Sequence, residues 1–413
     1  MRNIKYVSVL FALILACGLP AFAQDDKILF DRGTTQFEAK QFEAAITSFR
    51  QYSTKVPDDP AAYFNIGLCY YNLDRYEEAL PAFKDALRYK PEHVSAYRYM
   101  GESYYELKRY DEAVEAFRNA IRYKPDLVSA YISLGNSLDY LKRYNEAIAA
   151  YMKAIEYDPK NAEAYSELGV AHKRQDNLPA AAQAYETAIR LDPSYPRTYY
   201  LLGVVYRQQK RNDDAAKILE KAIALGFEGA TAQYELAVVY RDQNRDADAV
   251  PLLKAATRQN PQFALAYLQL GEAYNVLKNF PDAISALKQA IRLDPKNDDA
   301  YLNLGNSYYN DGKYAESVQY YEKATQLVPN SAPIRTYLGD AYLNSKQYDL
   351  ALATYNTALR TDPKSADAIW GIGLVYINQK NFAAARAQKT KLDVLDADKA
   401  AKLQQKIDDA LKP

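Results

Sequence analysis

One spacing governs what this chain can fold into. Glycine stands at positions 33, 67, 101, 135, 169 and 203, and again at 271, 305, 339 and 373, every step being equal except one double step that Ala237 fills. Ten periods pass without insertion or deletion, so eleven units stand in strict register. Around each glycine the same apolar frame returns. One unit has Tyr97, Met100, Gly101, Tyr104, Tyr110, Ala113, Phe117, Ala120 and Pro125; the unit before it has Tyr63, Ile66, Gly67, Tyr70, Tyr76, Ala79, Phe83, Ala86 and Pro91. Steps of three, four and seven residues share one face of a helix. Each unit therefore reads as two helices, A before a turn near Lys108-Arg109 and its equivalents, and B after it.

Prolines agree with that reading. They recur at 57, 91, 125, 159, 193, 261, 295, 329 and 363, where a residue with fixed φ and no N–H stops helix B. Pro60, Pro179, Pro196 and Pro281 instead sit where a helix begins. Glycine within a helix costs roughly 0.5–1 kcal/mol relative to alanine, so something must offset so many of them. The expectation is that Gly101 faces Ala113 across its own hairpin, with the rings at 97, 104, 110 and 117 filling the gaps, and that a bulky side chain at any such glycine splits its hairpin.

This frame resembles the tetratricopeptide repeat, a 34-residue helix-turn-helix motif, over about Asp26 to Asp396. Tyrosine at 63, 97, 131, 165, 199, 267 and 301 stands where the family's pattern often has tryptophan. The predicted fold class is all-α: an α-solenoid of about eleven units spanning residues 24–396, closed by a capping helix over residues 397–413 with Ala400, Leu403, Ile407 and Leu411 on one stripe. The resemblance implies a right-handed superhelix whose A helices line a concave groove. Units six and seven are least regular: Phe227 follows Gly226 where proline is expected, Gln233 and Ala237 replace Tyr and Gly, and Asn212 and Asp246 replace the turn aromatic. They read as drift or as a hinge.

The stretch from Met1 to Ala23 reads as an address. Arg2 and Lys5 precede an apolar run from Tyr6 to Leu19, and Pro20 is followed by Ala21-Phe22-Ala23, as in a secretory signal peptide. The run falls short of the roughly 20 residues needed to span a bilayer. The rival is acylation at Cys17, within Ile14-Leu15-Ala16-Cys17-Gly18; Leu15 is bulkier than a lipoprotein box takes, and cleavage after Ala23 fits better. Export to the periplasm or the exterior is expected, with outer-membrane association open. Cleavage leaves Cys69 as the one cysteine, unable to form an internal disulfide, and it reads as structural.

Basic and acidic residues are equal at 52 each, and losing Arg2 and Lys5 leaves the acids two in excess, which argues against nucleic-acid binding. Catalysis is not expected. His93 lies in a loop, and His172 takes a place held elsewhere by Tyr104 and Tyr206; the two are more than two units apart. No spacing suits a metal or a cofactor. Glu77, Glu78, Glu112 and Glu146 recur because they open helix B, where negative charge favours the dipole.

Candidate binding residues are those of helix A left over from packing. Lys173, Arg207 and Arg241 form a basic ladder, one rung per repeat, with Arg174 beside the first, suited to an acidic segment; Glu167, Glu235 and Asp242 lie near enough to neutralise it. Phe64, Tyr71, Arg98, Tyr99 and Tyr105 make an amphipathic aromatic surface near the N-terminal end. Asn303, Asn306, Tyr309 and Asn310 offer hydrogen bonds to peptide backbone or sugar hydroxyls. The family's clamp for C-terminal carboxylates needs a lysine where this chain has Phe64, Arg98, Ile132 or Trp370, so that clamp is absent. The resemblance implies a non-enzymatic scaffold that holds a partner protein's segment, and the leader-like start places it in the cell envelope as an expectation. The alternative is a subunit of an envelope-assembly, secretion or polysaccharide-export machinery touching glycans or outer-membrane proteins.

Overall fold

The computed structural model describes residues 21–227 and 229–412. The expected leader, up to residue 20, and Cys17 with it lie outside the described residues. All regular structure among the described residues is helical, beginning with α1 (Ala21–Glu38) and α2 (Phe42–Lys55) and continuing as A–B hairpins to α21 (Ala366–Asn378) and α22 (Phe382–Leu395), then α23 (Ala397–Leu411). The described residues form two compact units, divided between Pro193 and Ser194. The first ends with α9 (Ala162–Arg174) and α10 (Leu178–Leu191); the second begins with α11 (Pro196–Gln208). Among the described residues no helix is long and apolar enough to cross a membrane.

Local chemistry sets the helix ends. Six A helices carry a side-chain N-cap at one register position: Asp59, His93, Asn161, Asn297, Ser331 and Ser365 each accept a hydrogen bond from a first-turn N–H. In His93 the acceptor is Nδ1, 3.2 Å from the Ala96 nitrogen, and burial lowers the imidazole's pKa. The A helices end in a Schellman turn. In the third repeat Arg109 N–H donates to the Tyr104 carbonyl at 2.8 Å and Lys108 N–H to that of Tyr105 at 2.9 Å, with Lys108 at φ +60°. This left-handed position recurs in every hairpin, yet lysine fills it in seven of them and glycine only at Gly312. Lys108→Gly is therefore expected to raise stability by about 0.5–1 kcal/mol in denaturant titrations, since the native backbone disfavours a Cβ there.

The glycines do not serve the contact expected of them. A Cβ on Gly101 would lie 2.7 Å from the Phe117 ring, so the partner is Phe117, one helical turn beyond Ala113. The same holds one period at a time: Gly67 receives Phe83, Gly135 Tyr151, Gly203 Leu219, Gly305 Tyr321 and Gly339 Tyr355, always at the same separation in sequence. Ala113 is also wholly buried. Both positions are on the inward face of helix B, and its rotation about its axis aims the ring, one turn further along, at the glycine. Where the ring is tyrosine, its hydroxyl needs a partner. Tyr151 donates to Asn136 at 2.7 Å, Tyr321 to Asn306 at 2.8 Å and Tyr355 to Asp340 at 2.6 Å, each acceptor being the residue after the glycine.

The last repeat breaks this pattern. Position 389, where the ring belongs, is lysine, and Gly373 is met instead by Leu403 of α23, 2.6 Å from where a Cβ would stand. Ala400, Leu403 and Ile407 of α23 are buried, while Leu411, expected on the same stripe, is about half exposed. In the irregular region, α12 (Asn212–Ala224) stops one residue early. Gly226 at φ +82° then closes a second kind of Schellman turn, with Phe227 N–H donating to the Ala222 carbonyl at 2.9 Å, and the Phe227 ring stacks on Tyr200 at 4.6 Å. A turn has taken over the work of the missing proline.

The acids that open helix B are held by arginines of the turn. Arg109 pairs with Glu112, Arg143 with Glu146 and Arg211 with Asp214, all at 2.7 Å, which lowers the pKa of both glutamates. Several of these guanidinium groups also lie over the tyrosine that ends helix A, 4.7 Å from Tyr104 and 4.0 Å from Tyr206. These carboxylates belong to the hairpin turns. Within each unit, successive A helices also lie against one another, as α15 (Ala264–Val276) does against α17 (Asp298–Asn310) and α19 (Ala332–Asn344) against α21. No pair of B helices approaches comparably among the described residues. The A helices therefore form the crowded inner side of each unit, and side chains meeting there come from residues about one repeat apart.

Candidate functional site

In the first unit, the inner aromatic residues come together. Phe64 on α3 (Pro60–Asn72) is closed in by His93 at 4.7 Å and by Phe83 and Tyr99 at 6.0 Å, so it serves packing. Tyr71 meets Tyr99 edge-on at 5.1 Å, and Arg98 lies over the Tyr99 ring at 4.0 Å while pairing with Glu102 at 2.5 Å. Tyr105 touches Tyr110 and Tyr140, both at 5.6 Å, and Tyr140 remains half exposed. Burial is the main cause that drives the Tyr71 and Tyr105 hydroxyl pKa values well up, so both stay neutral.

The basic residues are engaged with their own chain. Arg174 pairs with Asp139 at 2.8 Å, and Lys173 has its own interactions. In the second unit Arg207 binds Glu235 at 2.8 Å. Arg241 binds Asp246 at 3.0 Å and Glu272 at 2.6 Å and also reaches Gln269; Asp242, the neighbour named from the sequence, is not among these partners. The pairs with Glu235 and Glu272 join positions 28 and 31 residues apart, across adjacent A helices. Charge that the sequence presents as a ladder is thus matched locally, and its attraction for an acidic segment is small.

The asparagine face continues this network. Asn303 donates to Glu272 at 3.1 Å, Ser307 to Asn275 at 2.7 Å, and Tyr309 accepts from Asn344 at 2.9 Å. Asn306 is taken by Tyr321, and Asn310 is exposed. Beyond Tyr309 the inner face opens into a cleft of about 880 Å³, walled by α19 and α21 and bordered by Lys399 and Lys406 of α23. Trp370, the single tryptophan of the chain, lines it with Tyr309, Tyr337, Asp340 and Asp367.

Two residues give this cleft its form. Gly371 stands in a register row whose other members, Leu201 apart, carry a polar group, among them Asn65, Glu235, Gln269 and Asn303. A Cβ there would run into the Tyr355 ring, so Tyr355 is seated between Gly339 and Gly371 and delivers its hydroxyl to Asp340. Burial pushes the Asp340 carboxyl up to about 6; the Tyr355 hydroxyl works against this and Asp367 with it. Sequence reasoning singles out Trp370 only as a missing lysine, and Asp340 not at all. Their signals are a lone tryptophan and a glycine in a row that is polar in every other repeat but the one with Leu201.

The described residues contain no group of three or more His, Cys, Asp or Glu able to hold a metal. Cys69 is buried, and burial pushes its thiol up to about 12. His172 is partly buried with its Nδ1 unpaired and its pKa lowered by burial.

Comparison with known proteins bears on the repeats. Residues 92–301, half of the chain, match the family model of the C-terminal domain of cilia and flagella-associated protein 70, and residues 38–120 match that of subunit 3 of the anaphase-promoting complex, the cyclosome. Residues 286–319 and 309–365 match two models of the tetratricopeptide repeat itself. No curated protein matches the chain. Similar solved structures include YrrB, a repeat protein with an unusual peptide-binding site, at 25% identity over 48% of this chain and 99% of that one, TM-score 0.43. Another is a tetratricopeptide repeat protein of Parabacteroides merdae, at 17% identity over 60% and 99%, TM-score 0.47. The Cut9–Hcn1 assembly matches at 16% identity over 94% and 96%, TM-score 0.44. With its hairpins, its period and these family models in agreement, the chain belongs to the tetratricopeptide-repeat family.

Proposed function

We propose that this chain is an exported, non-catalytic scaffold of the cell envelope whose inner A-helix face holds an extended segment of a partner protein. The observation that carries the reading is the 880 Å³ cleft on that face, with exposed aromatic surface beside polar groups. A repeat array presents such a surface on rigid helices, so little ordering cost falls on the scaffold when a segment binds. Export rests on the leader-like stretch from Met1 to Ala23.

A photo-crosslinking amino acid placed at Tyr337, on the inner face, is expected to capture a discrete partner in living cells. The same group at Glu115, exposed on α6 (Tyr110–Tyr123), is expected to capture none. Equal capture at both sites would remove the inner face from consideration. N-terminal sequencing of the same protein should begin at Gln24, and a chain that keeps Met1 would refute export.

The second reading, contact with glycans within an envelope-assembly or polysaccharide-export machinery, has one observation in its favour. Trp370, Asn344 and Asn378 line the same cleft, and flat aromatic surface beside amides suits sugar rings. Retention on immobilised envelope polysaccharide, lost on Trp370→Ala, would favour it over the protein segment.

A further inference from the structure

Acids recur at one inner-face register position, and their counter-ions differ. Glu102 has Arg98 at 2.5 Å, and Glu272 has Arg241 at 2.6 Å. Asp340 stands at the same position, a whole number of repeats away, and among the described residues it has no cationic partner. One of its oxygens accepts from Tyr355, and the other takes no hydrogen bond from the described residues. The charged and titratable groups around it come from several helices: Tyr337 and Tyr348 line the same cleft, and Tyr321 of α18 (Tyr314–Leu327), in ring contact with Tyr337, is neutral with its hydroxyl raised by burial. Tyr309 of α17 and Tyr355 of α20 (Tyr348–Thr361) are neutral, their hydroxyls raised by burial. Asp367 of α21 adds negative charge, and Lys399 of α23 is held by Asp367 at 3.1 Å and by Asp396 at 2.9 Å. Lys346, Lys364, Asp362 and Lys406 are on the cleft wall and form no ion pair or hydrogen bond with Asp340.

We propose that this cleft takes the cationic side chain of an arginine or lysine in the partner segment, its charge set against Asp340 and its stem or face against Trp370. The inference rests on the inner-face reading above and names what that face selects. Two repeats supply an arginine from within the chain at this position; here the cation comes from outside. Trp370, Tyr309 and Tyr337 line the cleft with aromatic surface that attracts a cation and excludes water from the pair. A carboxylate set into a wall next to such surface discriminates strongly between a charged and a neutral side chain, because the neutral one leaves it unpaired.

The single tryptophan makes the test direct, because its emission reports this cleft. Full-length protein is titrated with the capped pentapeptide acetyl-Gly-Ser-Arg-Ser-Gly-amide and with the same peptide carrying citrulline, the neutral isostere of arginine. The arginine peptide should change Trp370 emission saturably, and citrulline should bind at least tenfold more weakly. Arginine binding should weaken about tenfold from pH 7.5 to pH 5, where Asp340 takes up a proton. Asp340→Asn should abolish both the arginine preference and its pH dependence. That variant keeps an acceptor for Tyr355, as Asn306 does for Tyr321 and Asn136 for Tyr151. Equal binding of the two peptides, no emission change with either, or an undiminished preference in Asp340→Asn overturns the inference. Saturable binding of chitotriose with no arginine response does so too. Crosslinking at Tyr337 that persists beside any of these results leaves the scaffold reading intact.

Discussion

Gly135→Ala is expected to destabilise the fourth hairpin by about 2–3 kcal/mol, although alanine is the better helix former by up to about 1 kcal/mol. The added Cβ would stand 2.5 Å from Cε1 of Tyr151, a ring that is almost wholly buried and tethered through its hydroxyl to Asn136. The ring cannot swing aside without breaking that bond or opening the core. Because each repeat contacts mainly its neighbours, the loss should appear as a locally weakened segment rather than global unfolding. Hydrogen exchange would show protection falling in α7 (Val128–Tyr140) and α8 (Tyr144–Tyr157) ahead of the distant helices. A second substitution checks the cause. The chain itself pairs an alanine at this register, Ala237, with a leucine at the register of the ring, Leu253, both fully buried. Gly135→Ala with Tyr151→Leu should therefore recover part of the loss. Undiminished stability in the single variant would show that the ring has room the packing denies it.

The repeat was legible because it is written eleven times, so that any one irregular unit is corrected by its neighbours. Rotation about the helix axis was not legible. Positions 113 and 117 both satisfy the helical period, and only the packed structure shows that Phe117 rather than Ala113 covers Gly101. The turn residues were hidden for another reason. A left-handed position is sought as glycine, and here lysine occupies most of them. At the binding face, the sequence exposed the cations and not their partners. Arg207 and Glu235, or Arg241 and Glu272, are 28 and 31 residues apart, separations that mean contact only once neighbouring A helices are known to touch. The same register, applied to the acids, separates Asp340 from Glu102 and Glu272 and singles out the one that has no arginine partner among the described residues.

Asp340→Asn is expected to make the second unit more stable at pH 7.5 by roughly 3 kcal/mol, which is what a displacement of this size is worth. The carboxyl titrates near 6 in the folded chain and near 4 unfolded, so between those values the native state binds the additional proton. The stability carried by that proton is complete below about pH 4 and lost as pH rises through 6. Asparagine, neutral throughout, does not suffer this loss, so the two proteins should converge below pH 4, draw apart between pH 4 and 6, and keep a constant difference above that. Denaturant titrations followed by Trp370 emission report the right region, because α19 and α21 wall the same cleft. His93 works with the opposite sign: its lowered pKa makes the native state lose stability as pH falls below about 6.5. It belongs to the first unit, which Trp370 does not probe. A less stable Asp340→Asn protein at pH 7.5 would mean that the carboxylate has a counter-ion within its own chain. A more stable one means that the chain carries a buried charge at a cost to its fold, and such costs concentrate at sites that bind. The cation that offsets this charge then has to come with the ligand.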